Sequence, residues 1–107
     1  MEEQRSGKII VHVDHDLADL IPGYLANRKK DIAAINEALE KNDMDTIRII
    51  GHSMKGSGGS YGFETITDIG RIMEKAAKEN CAEDIFLQLT RLEDYLYRLE
   101  IIYVSEH

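Results

Sequence analysis

Apolar residues recur at positions 17, 20, 21, 24, 25, 32, 35 and 39, with polar residues between them. This spacing predicts a helix over residues 16–41. Pro22 interrupts the pattern, so the helix either begins near it or kinks there. Asp16 and Asp19 are both candidate N-caps, and Asn42 closes the helix. Asp43 is placed to cap a second helix from about Met44, whose apolar residues include Met44, Ile47, Ile50 and Met54. Glycines end it near residues 58–61. A third helix is predicted from about Phe63 to Asn80, with Ile66, Ile69, Ile72, Met73, Ala76 and Ala77 as its apolar positions. In the last segment Ile85, Leu89, Leu92, Leu96, Leu99 and Tyr103 alternate steps of four and three. That is an a/d seam, widened by Phe86, Tyr95 and Ile102, and it predicts a helix running to about residue 104.

Residues 9–13, IIVHV, are short, apolar and β-branched, and alone they read as a strand. No downstream segment offers a convincing partner, so the expectation is an extended lead-in lying on the core. Four amphipathic helices with short links imply an all-α fold, an antiparallel four-helix bundle. Residues 1–15 form the lead-in and residues 16–105 the bundle. A coiled-coil dimer would also use the last seam, but the three other stripes favour a bundle within one chain. A monomer is therefore expected.

Composition narrows the function. A chain of 107 residues is one domain, large enough for a compact core but not for two layers around a deep cofactor crevice. The charged fraction is high and no apolar run approaches the roughly 20 residues that span a bilayer, so a soluble protein without membrane contact is expected. The first residues, MEEQRSGK, lack the apolar core of a secretion leader. A single cysteine, Cys81, excludes an internal disulfide and a cysteine metal cluster, and suits the expected cytoplasmic location. Carboxylates around it in KENCAED disfavour its thiolate, so Cys81 reads as a spectator. The formal net charge of −7 argues against nucleic-acid binding, which needs a basic face. His12 and His15, with Asp14 and Asp16, have metal-ligating chemistry, but two histidines in a flexible lead-in are usually inert, and His52 and His107 are distant in sequence.

The richest chemistry lies in IIGHSMKGSGGSYGF, residues 49–63. A nucleotide-phosphate loop would need Lys-Ser or Lys-Thr after its last glycine and a strand before it, and both are missing. A dinucleotide fingerprint fails for want of a βαβ unit. As a helix, the stretch puts Ile47, Ile50, Met54, Gly51 and Met44 on one buried stripe. His52 falls about 140° from Ile47, on the solvent side. Gly56 and Gly59, one and two turns on from His52, share its face and leave the ring without bulky neighbours. Lys55 supplies a cation beside the ring. Ile49, apolar on the exposed side, suits protein docking, and Arg48 and Ser53 flank the histidine. Gly62 reads as a turn, and Gly58 as a close-packing residue on the buried stripe. A neutral imidazole keeps one ring nitrogen free to attack phosphorus, and the phosphoramidate product can pass its phosphoryl group onward. Such chemistry needs little from a protein beyond access, orientation and a cation.

HSMKGSGGSYGF resembles the motif of histidine-containing phosphotransfer (HPt) domains, the shuttles of two-component phosphorelays. His52, Met54, Lys55, Gly56, Ser57, Gly58, Gly59, Gly62 and Phe63 match it, and the four-helix pattern agrees over roughly residues 16–104. The resemblance implies His52 as phosphoacceptor, Lys55 as the cation that stabilises phosphoryl charge, and Gly56, Gly59, Ile49, Arg48 and Ser53 as a docking surface. It also implies a Gln or Glu on the following helix that holds the inner nitrogen of the histidine. The matching residue is Glu74, which would fix the tautomer with Nε2 free. An ordinary solvated Glu74 paired with Lys78 is the competing reading. The implied partners are a response-regulator receiver domain and a sensor histidine kinase. No ATP motif is present, so no cofactor of its own is expected, and Mg²⁺ would come with the acidic site of the receiver. The rival readings are a non-catalytic helical adaptor and a homodimeric module built on the terminal heptads.

Overall fold

The computed structural model describes residues 7–105. The first six residues of the lead-in, and His107 with its neighbour Glu106, lie outside the described residues. The chain runs β1 (Ile9–Asp14), a 3-10 turn (His15–Leu17), α1 (Ile21–Glu40), α2 (Met44–Ser57), a second 3-10 turn (Gly59–Tyr61), α3 (Glu64–Lys78), α4 (Ala82–Arg98) and β2 (Leu99–Val104). It is an all-α four-helix bundle with a small two-stranded sheet added at its ends.

Pro22 starts α1 rather than kinking it, because proline at the second helical position removes an N–H that has no partner there. Neither Asp16 nor Asp19 caps this helix. Its N-cap is Leu20, without a side-chain bond, and the local cap is Asp14, which accepts from the Asp16 amide at 2.9 Å to fix the 3-10 turn. Asp43 does cap α2, accepting from the Thr46 amide at 3.2 Å and the Thr46 hydroxyl at 2.6 Å. Asn42 and Asn80 close α1 and α3 with positive φ, a conformation asparagine tolerates better than most residues.

Phe63, Ile21, Ile35, Ile47, Met54, Ile66, Ile69, Met73, Ile85 and Leu92 are fully buried. Each such side chain contributes about 1.5–3 kcal/mol of burial. The α4 seam is consumed inside the chain: Ile85, Leu89 and Leu92 are buried and Leu96 packs against them. Phe86, expected to widen that stripe, is 60% exposed.

The ends of the chain correct two expectations. The last helix stops at Arg98, with Leu99 already extended at ψ 131°, and residues 99–104 form a strand. The lead-in has a partner after all: β1 and β2 pair in parallel, from Ile9 opposite Leu99 to Asp14 opposite Val104. Ile9, Val11, Val13, Leu99 and Ile101 turn towards the core, while Ile10, His12, Glu100 and Ile102 are exposed. Leu99 and Tyr103 fit a heptad as well as an alternating strand, so local spacing did not separate the two. The β-branched run in LEIIYV favours the strand once a partner lies beside it.

Candidate functional site

The site is built where α2 crosses α3, and glycine makes the crossing possible. A Cβ placed on Gly51 would lie 2.8 Å from the Glu74 amide nitrogen. A Cβ on Gly70 would lie 2.4 Å from the Lys55 amide nitrogen and 2.6 Å from the Gly51 carbonyl oxygen. Real side chains do not approach backbone so closely, so the two glycines let the helices touch main chain to main chain. The crossing sets the Glu74 backbone against Gly51, next in sequence to His52.

Glu74 is 7% exposed, and its two oxygens are divided. Oε1 takes the Lys55 ammonium at 2.7 Å. Oε2 lies 3.1 Å from His52 Nδ1 and 3.8 Å from Lys78 Nζ. Both the cross-helix arrangement and the Lys78 pairing are therefore present on one carboxylate. The Lys55 hydrogen bond is the largest influence on Glu74 and holds its carboxyl below the usual value; burial opposes this and His52 reinforces it. His52 itself projects outward, with 67% of its side chain exposed.

Around the ring, a Cβ on Gly56 would meet nothing within 4 Å. Ile49 is 59% exposed and Ser53 is exposed. Arg48 is partly exposed and reaches Asp45 at 3.9 Å, one turn back. These residues share the α2 surface with His52.

Gly59 lies just beyond α2, in the 3-10 turn that follows it. α2 ends at Ser57, and Gly58 after it keeps helical angles, φ −56° and ψ −51°. The Gly59 amide donates to Thr67 Oγ1 at 2.7 Å, and a Cβ on Gly59 would meet the Glu64 carboxylate at 3.1 Å. Gly58 packs as the stripe implied: a Cβ there would lie 2.6 Å from the Thr67 amide nitrogen. Gly62, at φ 96°, closes the turn in the left-handed region that favours glycine.

Sequence reasoning assigned no role to Thr67. Its hydroxyl accepts from Gly59 and donates to the Lys55 carbonyl at 3.3 Å, tying the end of α2 to α3. Tyr24 supports the same end from α1: its hydroxyl and Ser57 Oγ are 2.8 Å apart, and its ring stacks on Phe63 with centroids 5.9 Å apart. Nothing in a threonine or tyrosine at these positions announces such contacts. The helix-interior glycines did carry a signal, since a mid-helix glycine costs about 0.5–1 kcal/mol unless something needs the space.

Among the described residues, no group of three or more His, Cys, Asp or Glu side chains is arranged to hold a metal ion. His12 is exposed on β1, and His15 lies in the following turn. No described helix is long and apolar enough to cross a membrane.

Comparison with curated proteins and with solved structures gave no match. The family profile described as Hpt domain matches residues 19–101. That span takes in all four helices, the α2–α3 crossing and the His52–Glu74 pair, so this chain belongs to the Hpt domain family.

Proposed function

We propose that this domain is a histidine phosphotransfer module of a two-component phosphorelay, carrying a phosphoryl group on His52. The observation that carries the reading is the outward imidazole whose Nδ1 is engaged by a nearly buried carboxylate. With Glu74 accepting the Nδ1 proton, Nε2 is the nucleophilic nitrogen and faces the partner. Phosphoryl transfer asks mainly for positioning and charge stabilisation, which Glu74 and Lys55 supply.

In the reaction, Nε2 attacks the phosphorus of a receiver's aspartyl phosphate. The Nε2–P bond forms, the P–O bond breaks, and the aspartate leaves as a carboxylate. The reverse step returns the group to a receiver aspartate. Lys55 lies beside the ring, where its ammonium stabilises phosphoryl charge. Gly56 leaves clearance for the receiver, with Ile49, Arg48 and Ser53 as contacts. Gly59, in the turn just after α2, adds to that clearance. Mg²⁺ belongs to the receiver's acidic site, and a sensor histidine kinase supplies phosphate upstream. The module works as a monomer in the cytoplasm and hydrolyses no ATP.

Incubation with a phosphorylated receiver domain and Mg²⁺ tests this directly. The expected result is an acid-labile label on the wild type and none on His52→Gln. No label on the wild type across several receivers, or equal label on His52→Gln, rejects the reading.

A further inference from the structure

We propose that Thr67 is a positioning residue for receiver docking: its hydroxyl sets where α2 ends, and so fixes the glycine turn that a receiver meets beyond His52. The inference rests on the phosphotransfer reading above and concerns recognition of the receiver rather than chemistry at the ring.

A helical ladder joins each amide to the carbonyl four residues back. The Gly58 amide obeys this rule and donates to the Met54 carbonyl at 3.0 Å. Gly58 also keeps helical angles, so its own backbone does not stop the helix. The next rung would join the Gly59 amide to the Lys55 carbonyl. The Thr67 hydroxyl stands between them instead, accepting from the Gly59 amide at 2.7 Å and donating to the Lys55 carbonyl at 3.3 Å. One hydroxyl can do both, since it carries a proton and two lone pairs. A side chain from α3 thus opens the rung, and the chain turns at once. The Tyr61 and Phe63 amides both return to the Gly58 carbonyl, at 3.2 and 2.9 Å. Thr67 comes this close because Gly58 has no side chain: a Cβ there would lie 2.8 Å from the threonine oxygen.

The turn lies within a receiver's reach. Gly59 follows His52 in sequence by a distance of about 10 Å along a helix axis. An interface of standard size covers about 800 Å² of each partner, a patch roughly 30 Å across. A receiver centred on the outward ring therefore covers the turn, where Gly59 is partly exposed and Ser60 is exposed. The ring and its cation depend on Thr67 far less. His52 lies more than a turn inside α2, and the Lys55 amide is held against Gly70 at the helix crossing. The bonds of His52 and Lys55 to Glu74 involve neither Gly59 nor Thr67. Without the hydroxyl, the Gly59 amide and the Lys55 carbonyl lose their shared partner, and each satisfies the other by closing the rung. α2 then lengthens by a residue and the turn shifts, while the ring keeps its surroundings.

The test uses the full chain in two reactions. Phosphoramidate, a small donor, labels His52 without any docking surface. Transfer from the labelled domain to a receiver with Mg²⁺, at rising receiver concentration, needs that surface. Thr67→Val keeps the shape of the side chain and removes the hydroxyl. It should take label within about twofold of the wild-type rate and reach the same maximal transfer rate, but need about tenfold more receiver for half of it. Thr67→Ser, which restores the hydroxyl, should need receiver within about threefold of the wild type. Circular dichroism checks folding; if Thr67→Val is unfolded, Thr67→Ala is read by the same criteria, and unfolding of both shows a purely structural role and overturns the proposal. An unchanged receiver requirement in Thr67→Val, an equal slowing of both reactions, or a Thr67→Ser protein that behaves like Thr67→Val also overturns it, while leaving His52 as phosphoacceptor. Failure of the wild type to take phosphate on His52 rejects the phosphotransfer reading and this proposal with it.

Discussion

The two sides of this bundle are joined in different ways. Where α2 meets α3, Gly51, Gly58 and Gly70 remove side chains and the backbones touch. Where α1 meets α4, the helices leave a cleft of about 240 Å³ lined by Lys29, Ile32, Glu93, Leu96 and Tyr97. A backbone contact has few ways to adjust, because main chain cannot change rotamer. A contact made by long side chains can repack at small cost. The His52–Glu74–Lys55 cluster sits on the side that cannot adjust. Bonds of 2.7 and 3.1 Å between different helices need that rigidity. The softer side contributes burial but no chemistry.

The largest expected effect breaks the rigid side. Gly70→Ala puts a methyl group into the Lys55 amide and the Gly51 carbonyl, and should destabilise the fold by about 3 kcal/mol in urea unfolding. Ile32→Ala, on the cleft of the other side, should cost only about 1–2 kcal/mol because the residue is half-buried. Equal losses for the two would erase the distinction drawn here. Next in size is Gly56→Ala, which enters open space on an exposed helical turn. Thermal unfolding should show a gain of about 0.5–1 kcal/mol. If Gly56 is clearance for a receiver, transfer should slow in the same protein that has become more stable. Faster or unchanged transfer would deny it that role.

The smallest effect sharpens the comparison through pH. Glu74 in the folded protein has a lowered pKa, mainly through the Lys55 hydrogen bond. Its contribution to stability is therefore complete above the unfolded glutamate value, about 4.3. It is lost as pH falls through the lower, folded value. Melting temperatures measured from neutrality down to about pH 3 should fall further for the wild type than for Glu74→Gln. Parallel curves would mean that the carboxylate adds nothing to holding α2 against α3.

The helices were legible because each carries its own apolar stripe, and Asp43 and Asn42 mark the α1–α2 junction. His52 was legible because an exposed histidine beside Lys55 and Gly56 is an unusual set of neighbours on one helix. The end of α2 at Ser57 was less legible, because a wheel extends a helix indefinitely. The true end depends on Gly58 packing against Thr67, a contact with another helix. The sheet was missed for the same kind of reason. β1 and β2 stand at opposite ends of the sequence, and parallel pairing leaves no hairpin turn to read.

The sequence by itself determined the bundle, the outward direction of His52 and the cation beside it, since periodicity and helix geometry are local properties. The tertiary structure alone decided how near Glu74 comes, how its two oxygens are shared between Lys55 and His52, and where the last helix gives way to β2. Those depend on distances between backbones remote along the chain, and here Gly51 and Gly70 set the closest of them.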